Sequence, residues 1–427
     1  KKSRANKFSD QHMGEAIRFV SSHEVGHTLG LKHNMGASFS YPVDSLRSES
    51  FCKKMATASS IMDYARFNYV AQPDDHVSSL TPKIGDYDKF AINWGYRYFP
   101  EQDPQKECNK LKEIVANAYK NPYCHYLSQQ DMRTAIDPRA QSEDLGDDAV
   151  KASEYGLMNL KRIMPKILKW TTNKGDDYLE AGKLINDIIG QWNLYSYHVL
   201  TNVGGVYLNN TVYGDSCKSY VFVPRNMQKK SVRYLIDNVI DYPKWLFSNN
   251  IYNYVYPVKD SPVGYREYNP FAIYKNIQSY IFWDLLSDDR IERMIDDEMQ
   301  NGGNAYSASE FMNDLYQAIF KKTIKGLPLN VIDMATQKGF IDALIIAADR
   351  NAASKENVNN SMVMKSDLTP ESTKIFSGPK RASDAISVKR GVLLRIRRLM
   401  KMKLLHADFA SRYHYEDMVL RIDKSLY

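Results

Sequence analysis

The chain has 427 residues, enough for two or three domains with substantial cores. Hydrophobic residues make up 43% and charged residues 25%, the balance of a folded protein and not of a disordered one. A net charge of +7 over this length is too mild to indicate a nucleic-acid partner, and no run approaches the roughly 18 apolar residues of a membrane span.

Met13 to Leu29 carries apolar residues at Ile17, Val20, Val25 and Leu29 and reads as a helix. At its end stands His23-Glu24-Val25-Gly26-His27-Thr28-Leu29-Gly30-Leu31-Lys32-His33, a complete H-E-x-x-H-x-x-G-x-x-H pattern. His23 and His27 are four apart, so both imidazoles leave one helix face, a turn apart, as two ligands of one tetrahedral Zn²⁺ require. Glu24 sits beside the first ligand and can reach water at the metal without binding the metal itself. Gly30 can take φ > 0, which ends the helix and turns the chain back to deliver His33 as a third nitrogen ligand. Three protein ligands leave a fourth position open, the mark of a catalytic site and not a structural one. The bland alternative, core histidines on an apolar helix, leaves the joint spacing of three histidines and a glycine unexplained.

Phe39 to Ser60 mixes Pro, Ser and charges with little period and reads as a loop. It leads to Ser60-Ile61-Met62-Asp63-Tyr64. Asp63 and Asn34 flank the motif and are expected to orient the ligand imidazoles. Thr81-Pro82-Lys83 opens an expected helix running to Trp94, with Pro82 in its first turn.

From Glu107 the character is helical. Asp144 or Asp147 is the expected cap of a helix through Tyr155, Leu157, Leu160, Ile163 and Ile167. Helical spacing recurs over Tyr178 to Leu208, Lys229 to Asn238, Ile273 to Leu286 and Ala308 to Phe320, and Val331 to Ala348 is a further helix candidate. Ser219 to Pro224 is the best strand candidate. Asn202-Val203-Gly204-Gly205-Val206 is neither a P-loop nor a dinucleotide fingerprint and reads as a bend or a site of close helix packing. Asp147 and Asp148 lie in no D-x-D-x-D-G loop, so N-capping explains them better than calcium. Ala352 to Asp384 is polar and rich in Ser, Asn and Lys, as in a linker or mobile loop. Val388 to Tyr427 closes the chain as helices with a basic face (Arg390, Arg395, Arg397, Arg398, Lys401, Lys403), read as a solvated face in preference to a membrane contact. Cys52, Cys108, Cys124 and Cys217 show no C-x-x-C spacing, which argues against a second zinc site. Cys108 and Cys124 are near enough in sequence to pair in an oxidising compartment, and unpaired small hydrophobes are an equal reading.

The S-x-M-x-Y form of Ser60 to Tyr64 resembles the Met-turn of the metzincin clan, in the form of its astacin and serralysin branches. The resemblance implies that Met62 is an apolar floor under the ligand histidines. It also implies that Tyr64 stands near the metal and hydrogen-bonds the oxyanion of the transition state. Half-buried core packing is the other reading of that tyrosine. The run from Phe19 to Pro100 resembles a family of large bacterial zinc-dependent metalloproteases. The carrying segments are Phe19-Val20-Ser21-Ser22, His33-Asn34-Met35-Gly36-Ala37-Ser38, Tyr41-Pro42-Val43-Asp44-Ser45, Ser60 to Tyr69, Ile84-Gly85-Asp86-Tyr87-Asp88 and Ile92-Asn93-Trp94-Gly95-Tyr96. Asp144-Leu145-Gly146-Asp147-Asp148 and Ser153-Glu154-Tyr155-Gly156 extend it, and the likeness is looser beyond Leu160.

The resemblance implies zinc-dependent peptide hydrolysis on a peptide or protein substrate, in a periplasmic, cell-envelope or secreted setting. The expected fold is mainly α. Residues 1–103 form the C-terminal half of a metzincin catalytic domain (zinc helix, Met-turn and C-terminal helix). An α-helical, bundle-like domain follows over 104–350, then a linker or mobile loop over 351–385 and C-terminal helices over 386–427. A metzincin catalytic domain normally starts with a twisted sheet and a backing helix of on the order of 100 residues, whose edge strand holds the substrate by strand addition. Here the chain opens with Lys1-Lys2-Ser3-Arg4 and the zinc helix follows at once. The chain is therefore expected to be the C-terminal portion of a larger protein, with its upstream catalytic half as a partner. The rival expectation is a truncated, non-catalytic zinc-binding or helical scaffold module. An upstream reading frame encoding the missing sheet and an export signal would decide between them.

Overall fold

A computed structural model describes residues 9–348 and 383–426, except 66, 101–102, 132–133, 215 and 256–268. The described residues are mainly helical, as the apolar periodicity predicts, and the strands among them are one antiparallel pair. They group into two units, Lys1–Val223 with Pro243–Asn269 and Pro224–Tyr242 with Pro270–Tyr427. None of the described helices is long and apolar enough to cross a membrane. Residues 351–382 of the expected linker lie outside the described residues.

In the first unit, α1 (Asp10–Thr28) is the expected zinc helix, begun at Asp10 because the Ser9 side chain accepts from the His12 N–H. It ends in a Schellman turn. Leu31 N–H donates to Gly26 O and Gly30 N–H to His27 O, with Gly30 at φ +84°. The stretch expected as a plain loop contains α2 (Glu49–Met55), capped by Ser48. Its apolar residues Phe51, Cys52 and Met55 turn inward, but seven residues are too few to show a period.

α3 (Asp86–Tyr96) begins later than the expected Pro82. Gly85 N–H donates to the Asp88 carboxylate at 2.7 Å and fixes the helix start there. Residues before Gly85 are spent crossing Ser59, whose carbonyl oxygen would lie 1.9 Å from any Cβ at residue 85. α4 (Pro104–Ala118) follows its cap Asp103. α5 (Ala149–Ile163) is capped by Asp148, and not by Asp144 or Asp147. Asp144 is buried and accepts from Ser38 Oγ, while Asp147 accepts from Val43 N–H. α6 (Leu179–Leu200) packs on α5 where Gly156 leaves room for the Tyr195 ring, and it buries Trp192. Gly204, at φ +60°, makes the expected bend into β1 (Val206–Leu208), which pairs with β2 (Tyr220–Phe222) in the register Val206↔Phe222 and Leu208↔Tyr220. A core of Ala37, Tyr41, Val43, Leu46, Ala58, Val70 and Leu145 fastens the loop after the zinc helix to the segments on either side of residues 60–64.

The second unit holds α7 (Arg225–Leu235), α8 (Pro270–Leu285), α9 (Asp288–Asn301), α10 (Ala308–Ile319), α11 (Val331–Ala348), α12 (Asp384–Lys403) and α13 (Phe409–Leu426). Phe340 is fully buried and meets Phe282 and Phe320 edge-to-face. Part of the basic face of α12 is engaged within this unit. Arg397 and Lys401 pair with Asp423, and Arg395 bonds Asn313 and lies over the Tyr316 ring. All four cysteines are free.

Candidate metal centre

His23 and His27 leave one face of α1, and the Schellman turn at Gly30 returns His33 toward them. Ligand nitrogens of the three all lie within 4.8 Å of one another. Each Nδ1 faces an oxygen that can only accept. His23 Nδ1–H donates to Ile61 O at 2.8 Å, His27 Nδ1–H to Leu31 O at 2.9 Å and His33 Nδ1–H to Gln129 Oε1 at 2.9 Å. The proton therefore sits on Nδ1 in all three, and the Nε2 lone pairs are left to converge.

His27 Nε2 and His33 Nε2 are 3.1 Å apart. With both ring protons on Nδ1, that approach brings two acceptor nitrogens together, as two ligands of one cation require. Ligands on a zinc tetrahedron, each at about 2.05 Å, stand about 3.3 Å apart. The three-imidazole donor set therefore fits a zinc ion. The His33 pKa is lowered mainly by desolvation, which outweighs the opposing hydrogen bond to Gln129. The nearby His27 and His23 lower it further, and the Glu24 charge opposes them. The neutral imidazole so favoured is the form that binds metal. Glu24 itself is exposed on α1.

Residues 60–64 are held from below by one buried carboxylate. Asp88 accepts from Ser60 Oγ at 2.6 Å, from Ile61 N–H at 2.8 Å and from Gly85 N–H at 2.7 Å. Burial pushes its pKa above the usual carboxylate value, and those hydrogen bonds oppose the shift. Met62 N–H donates to Ser60 Oγ, and Met62 O accepts from Asn34 N–H at 3.1 Å. The turn is thereby tied to α3, to the chain after His33 and, through Ile61 O, to His23. Met62 is fully buried against α1, where Gly26 leaves it space. Tyr64 is 40% exposed, with its ring stacked on His23 at 5.4 Å and tilted against His33 at 4.4 Å between centroids. That position is the wall of the histidine group and not the core.

Two sequence expectations fail here. The imidazole N–H groups go to Ile61 O, Leu31 O and Gln129, so neither Asn34 nor Asp63 orients a ligand ring directly. Asn34 braces backbone instead, donating to His125 O and accepting from Leu127 N–H and Gly36 N–H. Asp63 is buried and accepts from Ser38 N–H at 2.7 Å. Burial raises its pKa to about 7, against hydrogen bonds from Ser38 and Ala37.

Sequence reading missed Gly26, Asp88 and Gln129. A glycine inside a helix usually has a packing reason, so Gly26 left a signal. Gln129 left none, because it reaches His33 from 96 residues away. A cavity of about 340 Å³ opens beside this group, lined by His27, Leu31, Lys32, His33, Tyr126 and Gln129.

Residues 5–326 match the family described as Met-zincin. No curated protein and no solved structure matches the chain.

Proposed function

The chain belongs to the Met-zincin family, and from that premise we propose that it is a zinc-dependent endopeptidase working through the His23–His27–His33 group. The observation that carries the reading is that ligand nitrogens of the three histidines lie within 4.8 Å of one another, while every Nδ1 faces an acceptor oxygen. We read α1, the turn at Met62 and α3 as the lower half of a metzincin cleft.

His23, His27 and His33 would hold the metal, which when bound there would supply a water of lowered pKa, towards about 7, and a Lewis acid for the carbonyl oxygen. Glu24 stands next to His23 but outside the ligand set. It takes the proton as water attacks the scissile carbonyl and returns it to the leaving amine. Tyr64 donates its phenolic hydroxyl to the developing oxyanion, a role supported by its ring contacts with His23 and His33. Ile61 O, Leu31 O and Gln129 keep the ligand rings in one tautomer.

The test is proteolysis of a denatured, fluorescently labelled protein by the purified chain, with its zinc content measured in parallel. The expected result is about one zinc per chain, cleavage that a chelator abolishes, and recovery with zinc but not magnesium. A zinc-loaded chain that cleaves nothing would remove the peptidase assignment. A chain that takes up no zinc would remove the site as well.

A further inference from the structure

Two of the three ligand histidines are oriented by backbone. Ile61 O and Leu31 O are carbonyls that no substitution removes. His33 differs, because its Nδ1–H is held by one side chain, Gln129, brought from a distant segment. That segment is registered against the residues that follow His33. Leu127 N–H donates to Asn34 Oδ1 at 3.0 Å, Met35 N–H donates to Leu127 O at 2.9 Å, and Asn34 Nδ2 donates to His125 O at 2.9 Å. The Leu127 side chain packs so closely on Gly36 that a Cβ there would lie 2.9 Å from Leu127 Cγ. The backbone on both sides of the His33–Gln129 bond is thus fixed, and the amide oxygen arrives at 2.9 Å from a set position. Gln129 is itself exposed, so it contributes little packing.

We propose that Gln129 is the positioning residue of the third ligand, holding the His33 ring with Nε2 turned to the metal, so that residues 125–129 control how tightly the centre keeps its zinc. The proposal rests on the metalloprotease reading of the same histidines. An amide or carboxylate oxygen at residue 129 fulfils the role. An apolar side chain of the same length does not, because the ring is then free to rotate or change tautomer. Removing such an outer partner typically weakens metal binding about 10–100-fold.

The experiment is a zinc competition titration against a chromophoric chelator on the wild-type chain, Gln129→Met and Gln129→Glu, with the melting temperature of each metal-free protein. Gln129→Met keeps side-chain length and removes the acceptor. It is expected to lose about 10–100-fold in zinc affinity with unchanged metal-free melting. Gln129→Glu keeps the acceptor and is expected to bind at least as tightly as the wild type. In the cobalt-substituted proteins, Gln129→Met shifts the visible d–d bands and Gln129→Glu does not lose them. Equal zinc affinity of Gln129→Met and wild type overturns the proposal and leaves the metal site standing. Equal losses in both variants, with lowered metal-free melting, assign Gln129 to folding and also overturn it. A wild-type chain that binds no zinc removes the metalloprotease reading itself, a distinct outcome.

Discussion

Met62 fills the space that a side chain at residue 26 would need: a Cβ built on Gly26 would lie 2.3 Å from the Met62 sulfur. Gly26 lies inside the H-E-x-x-H segment, between the ligands His23 and His27. Met62 and α1 are therefore fitted to each other here, and the fit needs a residue without a Cβ.

That contact reverses the usual effect of a helix glycine. Helix propensity alone favours Gly26→Ala by about 1 kcal/mol. Met62 is fully buried, so its thioether must move within a packed interior to make room. Gly26→Ala is therefore expected to destabilise the protein by about 1–3 kcal/mol, the usual range for overpacking. Met62→Ala alone leaves a cavity, and the double variant is expected to be more stable than the two single losses added together. Urea denaturation of the four proteins measures the coupling. Additive effects would mean that residue 26 does not bear on Met62.

Glu24 has a different signature, because it touches no ligand nitrogen. Glu24→Ala should keep zinc content and melting temperature while proteolysis falls on the order of 10²–10⁴-fold, the usual contribution of a general base. Elemental analysis and a cleavage assay on the same sample check both halves. Wild-type turnover in this variant would require another base.

Tyr64 stands against His23 and His33, so both a structural and a chemical role are open to test. A donor to the oxyanion acts mainly in the transition state. Tyr64→Phe keeps the ring stack, removes the hydroxyl, and should lower kcat more than it raises KM. Unchanged kinetics would restrict Tyr64 to packing on the ligand rings.

The candidate metal-binding group was legible because its chemistry is local. His23, Glu24, His27, Gly30 and His33 lie within one helix and its terminal turn, where spacing dictates geometry. Val331–Ala348 was legible for another reason, since eighteen residues rich in apolar helix formers and free of Pro read as a helix by length and composition. α9 was not, because its buried residues Arg290, Ile291, Met294 and Asp297 include two charged ones that break the apolar stripe. The start of α3 was misjudged because a proline in a first-turn context is a local signal. The deciding contacts, Gly85 on Ser59 and Asp88 on the turn at residue 60, are tertiary. Gln129 was invisible on the same ground: an isolated glutamine acquires meaning only when the chain brings it to His33.

The second unit carries a pH liability at His414. The ring is buried on α13, with its Nε2 3.0 Å from Gln337 Oε1, and Gln337 in turn donates to Thr323. Burial pushes the His414 pKa down to about 4, the Lys338 charge adds to the shift, and Asp417 opposes it. In the unfolded chain a histidine titrates near about 6.5. Above that pH both states hold a neutral ring and the group does not affect stability. As pH falls from about 6.5 to about 4, the unfolded chain takes up a proton that the folded one refuses, so stability falls with pH across that window. The loss is bounded at about 3 kcal/mol, the full separation of the two pKa values. His414→Gln keeps a donor for Gln337 but cannot be protonated. Urea denaturation at pH 7 and pH 4.5 should therefore show a smaller acid loss in this variant than in the wild type. Lys338, Asp417 and every other charge are common to both proteins, so the difference isolates His414. The same acid loss in both would mean that the folded protein accommodates the imidazolium, and that burial there does not exclude its charge.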